Sequence, residues 1–203
     1  MKIALIGVSG HAGSRLLAEL LSRGHTVTGI ARGAPKLENR PGLVLETGDA
    51  TQPARLAPLL AGHDVVVSAA RFQSSDPQAL IAAVKQAGVP RLMVVGGAAS
   101  LEVAPGKMLL DAPGFPEAYR PEAEAGLRCL DALRAEKDLD WTFLSPSAEF
   151  APGKRTGRFR LGGNQLLTDA NGKSRISMED FAIAFVDELE APKHPRQRFT
   201  VGY

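Results

Sequence analysis

The sequence predicts an α/β fold built on one doubly wound, mostly parallel sheet with helices on both faces, and three observations carry that prediction. Short apolar runs alternate with segments whose apolar residues recur at helical spacing, from residue 2 to residue 145. The first run, Ile3-Ala4-Leu5-Ile6, enters three regularly spaced glycines, Gly7, Gly10 and Gly13, and emerges as a helix carrying Leu16, Leu17, Leu20 and Leu21. Asp64-Val65-Val66-Val67-Ser68 is β-branched through its middle, the pattern of a strand buried on both faces.

The chain has 203 residues, and nothing in its middle reads as a linker, so a single domain over 1–203 is expected. Apolar residues make up 44% and charged residues 23%, which suffices for a substantial core. The net charge of +2 is scattered rather than blocked, which argues against a nucleic-acid partner. Met1-Lys2 leads straight into the first strand, and no apolar run reaches membrane-spanning length. The single Cys129 sits in a helical stretch, where burial is expected, and has no partner for an intrachain disulfide. A cytoplasmic location with no membrane partner follows as the expectation.

A strand-to-helix turn leaves the first backbone N–H groups of the helix unpaired at the positive end of its dipole, a geometry that binds phosphate. Gly7 permits the sharp turn, Gly10 lets a pyrophosphate approach the backbone, and Gly13 lets the helix pack closely on the strand. The spacing is G-x-x-G-x-x-G, one residue longer in its first gap than the G-x-G-x-x-G dinucleotide fingerprint. A strand before and a helix after favour a Rossmann-like cofactor corner over an ordinary tight turn.

Thr26–Ala31 reads as the second strand. An acidic residue about 20 positions after the glycines would bind a ribose 2′-hydroxyl, whereas an Arg suits a 2′-phosphate. That place holds Arg32, no Asp or Glu occurs between Glu19 and Glu38, and Lys36 adds a second cation. The arrangement favours NADP, with NADPH as the reductant, over NAD; the alternative is that Arg32 is a solvated charge at a strand end. Leu43–Thr47 is the third strand, with Gly48-Asp49-Ala50-Thr51 at its carboxyl end and Thr51 as N-cap of a helix over Pro53–Leu60. Asp49 suits an adenine amino group or, alternatively, caps the turn.

Ala69 and Ala70, after the fourth strand, are small enough to line a pocket, and Arg71, Phe72 and Gln73 follow in a loop. A helix over Pro77–Ala87 and a fifth strand over Arg91–Gly96 continue the alternation. Pro and Gly break up 101–121, the composition of a loop covering a substrate. A helix over Glu122–Glu136, a sixth strand over Asp140–Ser145 and a second substrate-covering loop near 151–175 come next, with Leu166–Thr168 as a short edge strand. Ser177-Met178-Glu179-Asp180 reads as a capping box, and Arg198–Val201 as the last strand.

A carbonyl reductase of the short-chain type protonates the nascent oxyanion with a Tyr whose neighbouring Lys lowers its pKa. The chain has only Tyr119 and Tyr203, and the residue four beyond Tyr119 is Ala123, so that pair is missing. Tyr119 is either an orphan acid or a pocket wall. Ser100, after the fifth strand, is placed to orient a substrate, and Ser145 and Ser147 follow the sixth. Four scattered histidines make no metal set, and no G-x-S-x-G elbow occurs. What remains is hydride transfer to an acceptor that solvent can protonate.

Gly7-Val8-Ser9-Gly10-His11-Ala12-Gly13-Ser14-Arg15, Ala31-Arg32, Gly48-Asp49-Ala50-Thr51, Val95 through Val103 and Ser145-Pro146-Ser147 together resemble the atypical short-chain dehydrogenase/reductases of the NADH-flavin reductase type, near the NmrA-like and biliverdin reductase B groups. The resemblance spans nearly the whole chain. It implies pyrophosphate on Gly10, His11 and Ala12 within the loop of Gly7, Ser9 and Gly13, adenosine near Arg32, Asp49 and Ala50, and nicotinamide near Ala69, Ala70, Ser100 and Pro146. A flavin or other small planar acceptor would stack beside it, in a monomer or homodimer, with Ser100 and Tyr119 the side chains nearest the chemistry. It also implies two alternatives: an NmrA-like redox sensor without turnover, or an epimerase or dehydratase acting through the same cofactor.

Overall fold

The structure, a computed structural model, describes residues 1–33, 37–38 and 40–203, so Lys36 lies outside the described residues. In chain order the elements are β1 (Lys2–Ile6), α1 (His11–Ser22), β2 (Thr26–Ala31), β3 (Leu43–Thr47), α2 (Pro53–Leu60), β4 (Val65–Ser68), α3 (Pro77–Gln86) and β5 (Arg91–Val95). A small hairpin, β6 (Glu102–Ala104) with β7 (Lys107–Met108), precedes α4 (Arg120–Ala135) and β8 (Asp140–Ser145). The chain ends with β9 (Glu149–Ala151), β10 (Arg160–Gly162), β11 (Arg175–Ser177), α5 (Met178–Glu190) and β12 (Gln197–Gly202).

Eight strands form one sheet in the order β10-β12-β8-β5-β4-β1-β2-β3. Every neighbouring pair is parallel except β10 on β12. Alternation along the strands divides the core in two. Ile3, Leu5, Val65 and Val67 face α1 and α5, whereas Ala4, Ile6, Val66, Leu92 and Val94 face α2, α3 and α4. Both faces being covered explains why β4 and β5 are buried along their whole length and read as unbroken apolar runs.

The order places the ligand crevice. From β1 the chain builds β2 and β3 to one side, then crosses to β4 on the other, so β1 and β4 are neighbours whose carboxyl ends open a gap at the switch point.

Three local expectations are corrected. Thr51 does not cap α2: its amide and Oγ1 both donate to Asp49 Oδ1 at 2.9 Å, and Gln52 takes the N-cap position without a side-chain bond. The edge strand is Arg160–Gly162 rather than Leu166–Thr168, held by antiparallel pairing with β12. Ser177 caps α5 through the Asp180 amide at 3.0 Å, but the Asp180 carboxylate does not reach back to complete the box; it turns to Thr156, Gly157 and Tyr203. Pro121 sits in the first turn of α4, where its missing N–H is harmless.

Candidate functional site

The corner between β1 and α1 is built from its glycines. Gly7 has φ +82°, and a Cβ there would lie 2.7 Å from the Ala69 carbonyl, so this residue lets the ends of β1 and β4 meet. A Cβ on Gly13 would overlap the Gly7 carbonyl oxygen. Gly10 is the N-cap of α1 and offers no side chain to the helix end. The amides of Gly7 and Val8 donate to Ile30 O, that of Gly10 to Gly7 O, and that of Ser14 to Gly10 O. Among the described residues, no group accepts from the amides of His11, Ala12 and Gly13. Three donors therefore point out of the positive end of a twelve-residue helix that has no acidic residue in its first turn.

A groove of about 180 Å³ leads away from this corner, lined by Gly7, Ser9, Gly10, Arg32, Ala50, Ala69, Ala70 and Arg71 among others. Arg32 is exposed just past the end of β2. Asp49 stands beside the groove rather than in its lining. The Thr51 amide and hydroxyl, with a smaller contribution from the Arg32 charge, hold its carboxyl below the ordinary aspartate value. Its Oδ1 anchors the turn, and Oδ2 makes no hydrogen bond among the described residues.

From Ala70 and Arg71 the chain passes directly to Phe72, which opens a second, larger cleft of about 1070 Å³. Phe72 stacks on Phe143 with centroids 6.1 Å apart and planes 18° apart. Small residues make room for both rings: a Cβ on Gly96 would overlap Phe143, and one on Gly126 would lie 3.0 Å from Phe72. Glu122 of α4 fixes the Phe72 turn by accepting from the amides of Phe72 at 2.8 Å and Gln73 at 3.1 Å. Leu109, Phe115 and Phe150 add apolar wall. Of these, Phe115 carried a sequence signal, an aromatic set between Gly114 and Pro116 in a loop with no core to bury it.

Ser100, Pro146 and Tyr119 all line this cleft. Ser100 Oγ accepts from the Arg198 guanidinium at 3.2 Å; burial, with the Arg134 charge, pushes that guanidinium down to about 10. Tyr119 sits on a short 3₁₀ turn at the rim, 67% exposed. Ser147 Oγ donates to Val201 O, and Ser145 Oγ is buried without a partner among the described residues. Of the loop near 151–175, Ala151, Lys173 and Ser174 reach the cleft, while its middle forms the sheet edge. His25, His63 and His194 are held by Glu190, Thr28 and Glu188. His11 is the exposed first residue of α1. Among the described residues, no three metal-ligating side chains gather. Cys129 is buried on α4, which pushes its thiol up to about 12.

A family model described as NAD(P)H-binding matches residues 7–192. The chain belongs to this family. It is 46% identical to a Burkholderia pseudomallei protein provisionally described as exported, each chain covering 100% of the other, with a TM-score of 0.91. It is 42% identical to a Bacteroides thetaiotaomicron protein provisionally described as an epimerase, over 100% of this chain and 96% of that one, TM-score 0.95. A Streptococcus pneumoniae protein provisionally described as an NADH-flavin reductase is 35% identical, over 100% and 99% respectively, TM-score 0.87. Membership in the atypical short-chain dehydrogenase/reductases thus holds, and the Rossmann-like fold with it. A nicotinamide dinucleotide is the family's cofactor, and the corner fits one: open amides for the pyrophosphate, glycines that let it close in, and small residues beyond. Among the described residues no helix is long and apolar enough to cross a membrane.

Proposed function

We propose that this protein is an NADPH-dependent reductase that reduces a flavin or another planar, quinonoid acceptor by direct hydride transfer. The observation that carries the reading is adjacency. The groove beside the open amides of α1 is lined by Ala69, Ala70 and Arg71, and the next residue in the chain, Phe72, lines a larger cleft together with Phe143, on which it stacks. His11, Ala12 and Gly13 would hold the pyrophosphate, and Arg32 the 2′-phosphate that distinguishes NADPH. When bound, a dihydronicotinamide supplies a hydride to a ring held against it. The chain's part is to orient the two partners in an apolar cleft and to exclude water from their contact.

No acid is required at the ring, because a reduced flavin takes its proton from solvent. Accordingly Tyr119 stands exposed on the rim and Glu122 is engaged by two backbone amides. The relationship to the pneumococcal protein described as a flavin reductase supports this reading. That to the Bacteroides protein described as an epimerase favours a second one, in which Tyr119 would exchange a proton with a substrate carbon. The proposal extends to a cytoplasmic monomer or homodimer without nucleic-acid or membrane partners.

The test is NADPH oxidation on addition of FMN, riboflavin and small quinones. Turnover with a flavin is expected. Nucleotide binding with no turnover across the panel would replace the reductase with a redox sensor that only reports the cofactor.

A further inference from the structure

Beyond the acceptor cleft lies a second depression of about 690 Å³. Glu149 and Ala151 of β9 line both, so β9 is their common wall. The lining is cationic: Lys154, Arg158 and Arg175 line it, and among the described residues Glu149 is the one carboxylate side chain that does. Lys173 stands just across the wall, in the acceptor cleft.

Cations this close to acids ordinarily pair with them, but Glu19, Glu179 and Asp180, the acids beneath the segment 152–158, are already engaged, which leaves Glu149 against three cations. The segment 152–158 is fastened from beneath by three carboxylates. Glu179 accepts from the Gly153 amide at 2.7 Å, and Glu19 is gripped by Arg155 at 3.0 and 3.1 Å. Asp180 accepts from the Thr156 amide at 2.7 Å, its hydroxyl at 2.6 Å and the Gly157 amide at 2.8 Å. Tyr203 closes the base by donating to Asp180 Oδ2 at 2.7 Å. The segment is therefore rigidly placed, while Lys154 and Arg158 are left exposed with no ion pair among the described residues. Arg175 has only a 3.4 Å contact with Asp169.

We infer that this annex receives an anionic tail, a phosphate or carboxylate, carried by the planar acceptor. The ring lies in the aromatic cleft, the tail crosses β9, and Lys154 and Arg158 meet its charge with help from Arg175. The inference rests on reading the larger cleft as the acceptor site. It selects, among planar acceptors, those bearing a negative charge a few bonds from the ring.

FMN and riboflavin share one ring and differ by a phosphate, so quenching of their fluorescence with saturating NADP⁺ present isolates the tail. At low salt FMN should bind about three- to tenfold more tightly than riboflavin, the scale of a few exposed charge contacts. The doubly substituted Lys154→Ala, Arg158→Ala protein should lose that preference with riboflavin affinity and melting temperature unchanged. Roughly 0.5 M salt should also abolish it. A second double variant, Lys154→Glu with Arg158→Glu, should bind FMN more weakly than riboflavin. A flavin with a carboxylate in place of the phosphate should fall with FMN if single charge suffices, and between the two if the phosphate is the tail. Equal affinities for FMN and riboflavin in the unaltered protein, parallel losses of both in the variants, or binding of neither would overturn the inference. A preference for FMN without NADPH oxidation would remove the reductase reading alone, and oxidation with equal KM for both flavins would remove the annex alone.

Discussion

The carbonyl oxygen of Gly7 occupies the space in which a Gly13 side chain would begin. That contact sets how closely α1 approaches β1, and so where the unpaired amides of His11, Ala12 and Gly13 point. Gly13→Ala must push the helix away from the strand, at a cost on the order of 1–3 kcal/mol, and move the amides with it. Denaturant unfolding should show that loss, and NADPH affinity should fall with it. Gly163→Ala, where an added Cβ meets nothing within 4 Å, should change neither.

Arg32 lines the groove at the end of β2 and has no acid competing for the ribose at its own position. Arg32→Ala should weaken NADP binding about tenfold, the value of a charge-assisted contact, and leave NAD binding within about twofold. The ratio of the two dissociation constants is the measurement. A ratio that does not move would remove Arg32 from the site.

Tyr119 is the sole tyrosine at the acceptor cleft and is mostly exposed. With solvent as the proton source, Tyr119→Phe should change kcat with a flavin by no more than about twofold. A loss of about a hundredfold or more, the worth of a general acid, would instead support the epimerase-like chemistry.

The corner and its cation were legible because they are local. Gly7 and Gly13 are demanded by backbone geometry within seven residues, and Arg32 is reached by counting from them. Thr51 was misplaced because a hydroxyl before a helix can serve either the helix or a preceding Asx turn, and Asp49 took it. The edge strand escaped because β10 needs no apolar pattern: Leu161 is half exposed, and pairing with β12 alone defines the strand. The fastening of 152–158 was beyond reach, since Arg155 and Glu19 stand 136 residues apart and nothing in either neighbourhood announces the other. The same holds for Glu122 and Phe72, which shape the acceptor cleft across 50 residues.

The Asp180–Tyr203 bond predicts an acid-sensitive fastening. Burial pushes the Asp180 carboxyl up, but the Thr156 hydroxyl, the Gly157 amide and the Tyr203 hydroxyl together outweigh it and hold it below the ordinary value of 3.8. A depressed carboxyl stabilises the fold above its unfolded pKa, and that contribution is lost as pH falls through the folded value. Tyr203→Phe removes one of the outweighing donors and should cost about 1–3 kcal/mol at neutral pH. Melting temperatures followed from about pH 6 down to pH 3 should fall less steeply in the variant than in the unaltered protein, since less of the depression remains to be lost.

The account stands on the open amino end of α1, and backbone amide spectra during a titration with NADP⁺ test it most directly. The resonances of His11, Ala12 and Gly13 should move furthest and follow a single dissociation constant. Saturating nucleotide that leaves those three amides in place, whether or not signals elsewhere shift, would contradict the central claim.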